Sequence, residues 1–300
     1  MKQAWLAQGE RANFGALRLL VWIALKLGRP IARAVLAPVS LYFLIFSARA
    51  RVASRSYLAR VLGRAPSLRD IYRHFYAFAT VALDRVYFLA DRWEGFDVSL
   101  HGEDLLVEQI GQARGCFLLG AHVGSFESLR TLGRRKDVAV KLVMFESNAR
   151  NVSRMSRAIN PDLERDVISL GAPDSMIRVI EQLDRGAWVG MLGDRALSEH
   201  GLVRVSFLGG SSALPTAPFR IAAMTGRPVI LMLGLYRGGN RYELHFEMLV
   251  DSPSFDRAGR DETIRVWAQR YADRLAHHCR SAPFNWFNFY DFWLADEHRN

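Results

Sequence analysis

Short apolar runs alternate with amphipathic stretches through the second half of the chain. The runs are short enough for buried β-strands, and the apolar positions between them recur at the helical period of about 3.6 residues. This alternation predicts an α/β domain with a mostly parallel central sheet flanked by helices. The predicted strands are 116–122, 138–145, 166–170, 187–193, 228–237 and 242–250, and the predicted helices among them are 127–135, 149–159, 174–186, 217–226 and 263–281.

The first 92 residues show a helical pattern instead. Residues 1–50 are apolar and basic, and residues 51–92 continue with apolar positions at the helical period. We therefore divide the chain into an N-terminal helical segment that associates with a membrane, residues 1–50, and a domain of residues 51–300 that contains the α/β sheet.

One uncharged run, residues 34–48, is the part of the N-terminal segment that could enter a membrane. Its 15 residues fall short of the roughly 20 that cross a bilayer as a helix. Arg33 and Arg49 bound the run and can extend their charges to the membrane surface, and Pro38 would kink a helix there. A short tilted span, a hairpin within one leaflet and an anchor lying at the interface all remain open.

Positive charge is concentrated at the N-terminus. The formal net charge is +10, and residues 1–75 hold 13 Lys and Arg against two acidic residues, so the remainder of the chain is nearly neutral. Apolar runs such as 19–25 interrupt the basic residues, whereas nucleic-acid-binding arms are usually polar between their charges. Apart from a plain solvated surface, the pattern favours anionic membrane lipids as partners, and no nucleic acid.

The two cysteines indicate neither a disulfide framework nor a metal site. Cys116 and Cys279 are far apart in sequence, which fits a reducing compartment. The His-His-Cys run at 277–279 places adjacent side chains in different directions on a helix, so we expect no bound metal.

A histidine and an acid lie close together in the stretch GAHVGSFES, residues 120–128. His122 would follow the end of a strand, and Gly124 and Ser125 permit a tight turn that brings Glu127 back towards it. A carboxylate on one imidazole nitrogen makes the other a better base for a substrate hydroxyl. A helix beginning near the two small residues would add free N–H groups for an oxyanion. Alternatively, the histidine only caps that helix.

The stretch LLGAHVGSFESLR, residues 118–130, resembles the histidine–four residues–acid motif of the glycerolipid and lysophospholipid acyltransferase superfamily. The acid of the motif is a glutamate instead of an aspartate, and in this the stretch resembles the branch of the superfamily that contains the lipid A late acyltransferases. The resemblance extends over nearly the whole chain. Further similar stretches are 54–79, 147–150, 189–195, 205–230 and the aromatic segment 283–293.

The resemblance implies an enzyme that moves a fatty acyl chain from an acyl carrier protein or coenzyme A thioester to a hydroxyl. The acceptor would be a lipid A-like precursor or another membrane glycolipid, and the site would lie at the cytoplasmic face of a bacterial inner membrane. His122 would be the base and Glu127 its partner. The thioester is a co-substrate, and no cofactor is implied.

The resemblance also implies a set of substrate contacts. Two departures from the family pattern concern the acceptor: Arg195 replaces a frequent glutamine, and the usual Thr-Pro order is inverted at Pro215-Thr216. The expected contacts are Gly124, Ser125, Asn148, Arg150, Asp194 and Arg195 around the polar end of the cleft, with Phe207 and Leu208 along an acyl groove or in the core.

Other functions remain compatible with the sequence. The same chemistry would serve a lysophospholipid, an amino-acid lipid or a pigment-bearing glycolipid as acceptor. A non-catalytic membrane scaffold with this fold is a second class, and a DNA-binding protein with a basic arm is a third.

Overall fold

In the computed structural model, the first described residues, 14–89, form a series of helices. The structure describes residues 14–112, 114–128, 138–144, 150–161, 163–170, 174–196, 200–254 and 259–294. The N-terminal helices are α1 (Phe14–Leu27), α2 (Arg29–Phe46), α3 (Ala48–Leu62) and α4 (Leu68–Leu89).

The boundaries of these helices have local causes. Gly28, with φ 88°, separates α1 from α2, and Gly63 ends α3 in the left-handed conformation. A capping box begins α4: the Ser67 hydroxyl accepts a hydrogen bond from the backbone N–H of Asp70, whose carboxylate in turn accepts one from the Ser67 backbone. The helical pattern predicted for the first 92 residues is thus present over 14–89 as four separate helices.

A seven-stranded sheet forms the centre of the domain, in the order β1-β9-β8-β2-β5-β3-β4. Strands β8, β2, β5, β3 and β4 run parallel to one another, β9 is antiparallel to β8, and β1 is parallel to β9. The predicted mostly parallel sheet is confirmed. The strands are β1 (Asp97–His101), β2 (Phe117–Gly120), β3 (Val140–Met144), β4 (Val167–Ser169), β5 (Trp188–Leu192), β6 (Leu202–Phe207), β7 (Gly210–Pro215), β8 (Val229–Gly238) and β9 (Arg241–Val250).

Strands β6 and β7 form a separate antiparallel hairpin that the apolar pattern did not predict. The turn residues Leu208 (φ 48°) and Gly209 (φ 76°) both have positive φ, as in the tight two-residue turns typical of hairpins. The signal was missed because Leu-Gly stands where Asn-Gly or Asp-Gly usually marks such a turn.

Helices cover both faces of the large sheet. Along β2, Leu118 faces one apolar cluster while Phe117 and Leu119 face the other, as the two-residue period of a strand requires. The helices after β1 are α5 (Glu103–Gly111), α6 (Arg150–Ile159), α7 (Leu163–Asp166), α8 (Ser175–Asp184), α9 (Ala217–Thr225) and α10 (Arg260–Ser281). Only the start of the predicted helix 127–135 is described, and it is a turn.

The aromatic C-terminal segment packs inside the domain. Trp286 is fully buried, with its ring 4.9 Å from that of Tyr57 and 5.2 Å from that of Phe207. The segment also follows α10 back across the carboxyl ends of the central strands, since the Phe287 N–H donates to the carbonyl of His122. It therefore closes one side of the region where β2 and β5 end.

Candidate active site

Two neighbouring parallel strands bring His122 and Asp194 together. β2 pairs with β5 so that Gly120 lies opposite Leu192, and His122 and Asp194 each follow two residues later. The backbone continues this register, because the Gly193 N–H donates to the Gly120 carbonyl over 2.9 Å. Carboxyl ends of parallel strands are where ligands bind in folds of this class.

Asp194 binds both the backbone and the ring of His122. The Nδ1 of His122 lies 2.7 Å from Oδ1 of Asp194, and its backbone N–H donates to Oδ2 over 3.0 Å. Trp286 Nε1 and Asn288 Nδ2 also donate to Oδ2, over 3.0 and 2.8 Å. The carboxylate is 1% exposed. Four donors therefore hold it in one orientation.

The same contacts determine the charge of the pair. Burial alone would raise the pKa of Asp194, but the charge and hydrogen bonds of His122 and the charge of Arg195 lower it well below its ordinary value. Burial lowers the pKa of His122, and Arg195 lowers it further, against the opposing effects of Asp194 and Glu127. At neutral pH the pair is a carboxylate and a neutral imidazole.

The neutral imidazole has a defined tautomer. An ionised carboxylate only accepts hydrogen bonds, so Nδ1 carries the proton shared with Asp194 and Nε2 keeps its lone pair. The His122 side chain is 27% exposed while that of Asp194 is fully covered. The ring can therefore accept a proton from a molecule that enters the site.

Glu127 has a different partner from the one expected. Its Oε1 lies 2.8 Å from Nε of Arg85 on α4, and Asp194 takes the position on His122 Nδ1 that the sequence analysis assigned to Glu127. Glu127 still acts on His122 through its charge, which raises the pKa of the imidazole. The direct orientation of the ring by Glu127 is thus not what the structure shows, and a catalytic role for either residue remains a prediction.

The turn after His122 is held by the backbone. The Gly124 N–H donates to the Asn285 carbonyl and the Ser125 N–H to the Gly234 carbonyl, each over 2.8 Å. These N–H groups are therefore occupied, and no helix begins at either residue, contrary to the expected oxyanion site. Gly124 has φ 57°, and a Cβ there would lie 1.9 Å from the Gly234 oxygen, so only glycine fits.

Arg195 lies half-buried beside the dyad. Its Nε donates to Asn288 Oδ1 over 2.7 Å and its Nη2 to the Phe287 carbonyl over 3.1 Å, and its guanidinium lies 5.8 Å from the centre of the Tyr290 ring. Burial lowers the pKa of Arg195, against the opposing charge of Asp194. The arginine thus connects the dyad to the C-terminal segment.

The remaining predicted contacts are only partly placed. Phe207 and Leu208 are 2% and 5% exposed and belong to the main core cluster, so they do not line an open groove. The Ser125 hydroxyl is buried, with no hydrogen-bond partner within the described part of the chain. Asn148 lies outside the described residues, and the side chain of Arg150, the first residue of α6, does too.

An aromatic surface adjoins His122. Phe78 of α4 is 45% exposed, and its ring lies 5.3 Å from that of Phe287 and 5.4 Å from that of Phe289. Because the Phe287 backbone is bonded to His122, this apolar surface begins next to the candidate base. The His122–Asp194 pair thus has aromatic side chains beside it, of which Phe78 is well exposed.

Sequence reasoning missed three residues of the site. Trp286 and Asn288 lie two apart in the aromatic segment 283–293, which could have been considered as a source of donors. Arg85 lies on α4 with nothing around it to suggest a contact with Glu127.

A second group of potential ligands lies at the edge of the sheet. Side-chain nitrogen or oxygen atoms of His101, Glu243 and His245 lie within 4.8 Å of one another on β1 and β9. Arg237 is paired with the Glu243 carboxylate at 2.7 Å, so that carboxylate already has a cationic partner. The group is separate from the His122–Asp194 dyad.

A comparison with known families supplies the decisive observation. The model described as bacterial lipid A biosynthesis acyltransferase matches residues 12–295. The chain belongs to this family. The resemblance inferred from the motif is therefore confirmed, and membership implies an acyltransferase that acts on lipid A-like substrates. No curated protein matches the sequence significantly.

Family membership also bears on the location of this acyltransferase. The family is associated with membranes, and within the described residues one helix, α2, is long and apolar enough to cross a bilayer by length and composition. Core helices of soluble proteins and signal sequences share this length and composition.

Proposed function

We propose that this acyltransferase moves a fatty acyl chain from an acyl carrier protein or coenzyme A thioester to a hydroxyl of a lipid A-like precursor or another membrane glycolipid. The observation that carries the proposal is the neutral, partly exposed His122 imidazole, whose Nδ1 is bonded to the buried Asp194 carboxylate so that Nε2 keeps its lone pair. Together with the family, this arrangement supports base-catalysed attack by an alcohol.

The proposed reaction needs only these groups and the two substrates. Nε2 of His122 removes the hydroxyl proton while the oxygen attacks the thioester carbonyl carbon, and a tetrahedral oxyanion forms. The intermediate collapses with cleavage of the carbon–sulfur bond. The departing thiolate takes the proton back from the imidazolium, which leaves an ester, a free thiol and the original imidazole. Asp194 stabilises the imidazolium while it exists.

Glu127 remains part of the proposed site in another role. Its carboxylate, paired with Arg85, sets the electrostatic potential beside the imidazole, since its charge raises the pKa of His122. Asn148, Arg150 and Arg195 remain proposed contacts at the polar end. The other expected contacts are occupied by backbone bonds or buried, so they shape the site from within; these are Gly124, Ser125, Asp194, Phe207 and Leu208.

The proposed partners follow from charge. Acyl carrier proteins are acidic, and so are anionic lipid headgroups, and both complement the basic N-terminal helices. We place the enzyme at the cytoplasmic face of a bacterial inner membrane, where acyl thioesters and glycolipid precursors meet. The proposal includes no nucleic acid and no cofactor besides the acyl donor.

The test is acyl transfer in a reconstituted system. The purified protein is given radiolabelled acyl carrier protein or acyl-coenzyme A and a panel of acceptors: a lipid A precursor, a lysophospholipid, an amino-acid lipid and a pigment glycolipid. His122→Ala should lower transfer on the order of 10²–10⁴-fold, and His200→Ala, an exposed histidine elsewhere, should not. Undiminished transfer by His122→Ala would refute the base, and no transfer to any acceptor would favour the scaffold.

A further inference from the structure

Exposed apolar side chains are concentrated on the N-terminal helices. Of the twenty large hydrophobic residues exposed in the described parts of the chain, twelve lie between residues 19 and 52, and the other eight are scattered. We call these twelve the apolar face. They are Leu19, Trp22, Leu27, Ile31, Val35, Val39, Leu41, Tyr42, Phe43, Ile45, Phe46 and Val52.

The opposite side of α2 is buried against the domain. Ala32, Leu36 and Ser40 are each at most 2% exposed, and their four-residue spacing places them in one stripe. This helix therefore has an inner side that packs on protein and an outer side that belongs to the apolar face.

Hydrogen bonds fasten α2 to α4 along the helix. Arg29 donates to the Asp84 carboxylate from Nε over 2.6 Å and from Nη2 over 2.7 Å. Further along, Tyr76 and Tyr72 of α4 each donate to a carbonyl of α2, those of Arg33 and Ala37, over 3.3 Å. The residue numbers of the contacts rise along α2 and fall along α4, so the two helices lie side by side and antiparallel.

This packing is incompatible with a transmembrane α2. An 18-residue helix is about 27 Å long, close to the roughly 30 Å of bilayer hydrocarbon. If α2 crossed in its packed position, however, α4 would cross beside it. The exposed Arg69 and Arg73 of α4 would then enter the hydrocarbon, and the neighbouring carboxylate on that helix, Asp70, is already paired with Arg64.

We propose that the apolar face lies flat in the outer part of one leaflet of an anionic bilayer, with α2 parallel to the membrane surface and no residue of α2 crossing it. The inference rests on the membrane association in the proposed function and adds its geometry. Helices that lie in the interface have this division into an apolar side and a protein-covered or polar side.

Charge selects an anionic bilayer as the occupant. Residues 14–69 contain ten Lys and Arg and no acidic residue. Exposed cations lie on the same helices as the apolar face, Arg18 and Lys26 on α1 and Arg49 and Arg55 on α3. They can reach anionic headgroups while the apolar side chains enter the leaflet. A second copy of the chain would present the same cations, which would repel.

The experiment measures depth in vesicles of phosphatidylglycerol and phosphatidylethanolamine. Both native cysteines are fully buried, so engineered cysteines take a fluorophore selectively. Val35→Cys, Val39→Cys and Phe46→Cys report on the face, and Val266→Cys, an exposed valine on α10, is the matched control. Lipids brominated at different depths should quench the three probes equally and at a shallow depth, and should leave the control unquenched.

Other results would overturn the proposal. Deep quenching at residue 39 with shallow quenching at residues 35 and 46 would indicate a span. Cross-linking of the probes without quenching would indicate a second copy, and equal binding to vesicles of phosphatidylcholine alone would refute the role of charge. Transfer to a detergent-solubilised acceptor is measured on the same variants, so a wrong orientation is distinguished from a wrong reaction.

Discussion

Asp194→Asn tests the dyad most directly, because the substitution replaces one carboxylate oxygen by an amide NH₂ and removes the charge with little change in the shape of the side chain. Three hydrogen bonds to Oδ2, from the backbone of His122, from Trp286 and from Asn288, can persist if the amide oxygen takes that place. The amide N–H₂ then faces His122 Nδ1 where Oδ1 had been an acceptor. Since two donors cannot share a hydrogen bond, the imidazole proton moves to Nε2, and the base is blocked.

The size of the effect follows from the lost contact. A hydrogen bond to a charged group contributes about 1.5–3 kcal/mol. At about 1.4 kcal/mol per tenfold change in rate, its loss alone lowers transfer roughly 10- to 150-fold. The altered tautomer removes the base as well, so we expect kcat/KM to fall by about 10²–10⁴-fold.

The pH dependence gives a second measure. The base works when neutral, which is above its pKa, and the pKa of His122 is lowered from the ordinary 6.5. The acid limb of kcat/KM in the wild type should therefore lie below pH 6.5. Asp194 opposes this lowering, so in Asp194→Asn the residual activity should have its acid limb at still lower pH.

Nitrogen-15 NMR of labelled His122 reads the tautomer directly. We expect the Nδ1–H form in the wild type and the Nε2–H form in Asp194→Asn. Glu127→Gln should keep the Nδ1–H form, because the Glu127 carboxylate of the wild type contacts Arg85 and not the imidazole. Thermal unfolding and Asp184→Asn, an exposed aspartate, serve as controls for folding. If Glu127→Gln changed the tautomer and Asp194→Asn left both tautomer and rate unchanged, Glu127 would be the direct partner and our reasoning would fail.

Two further predictions concern stability. Gly63→Ala should lower the free energy of unfolding by about 1–2 kcal/mol, because of its positive φ alone. Gly124→Ala should lower the melting temperature more, because its Cβ would also lie 1.9 Å from a strand carbonyl. Equal decreases in melting temperature for the two variants would contradict the close approach. Burial alone would raise the pKa of Glu247, but hydrogen bonds and charges of His278 and Arg274 lower it from 4.5 to about 2. A carboxyl group whose pKa is lowered in the folded state stabilises the fold at pH values above its ordinary pKa. This stabilisation is lost as the pH falls through the pKa of the folded state. Glu247→Gln should thus be less stable than the wild type by about 1 kcal/mol at pH 6, since the pair is partly exposed, and equally stable near pH 2 in urea titrations; a constant difference would refute the assignment.

The sequence by itself determined the elements of the domain. Buried parallel strands are short continuous apolar runs, and helices between them bury one side, so period and length suffice to recognise 187–193 as a strand and 217–226 as a helix. The β6–β7 hairpin was not recognised, because Leu208 adopts a positive φ that only its packed surroundings enforce. The histidine–acid motif, together with similar stretches along nearly the whole chain, identified the family. The apolar run before His122 was enough to place this residue after a strand.

Tertiary structure decided which carboxylate binds the histidine. Glu127 is five residues from His122 in sequence, but the turn is held by backbone bonds to Gly234 and Asn285, and the glutamate contacts α4. Asp194, 72 residues away, reaches the ring because β2 and β5 are neighbours in register. Strand order depends on how distant segments pack and bury apolar surface together, which no local pattern encodes, so the partner of the base became visible only in the folded chain.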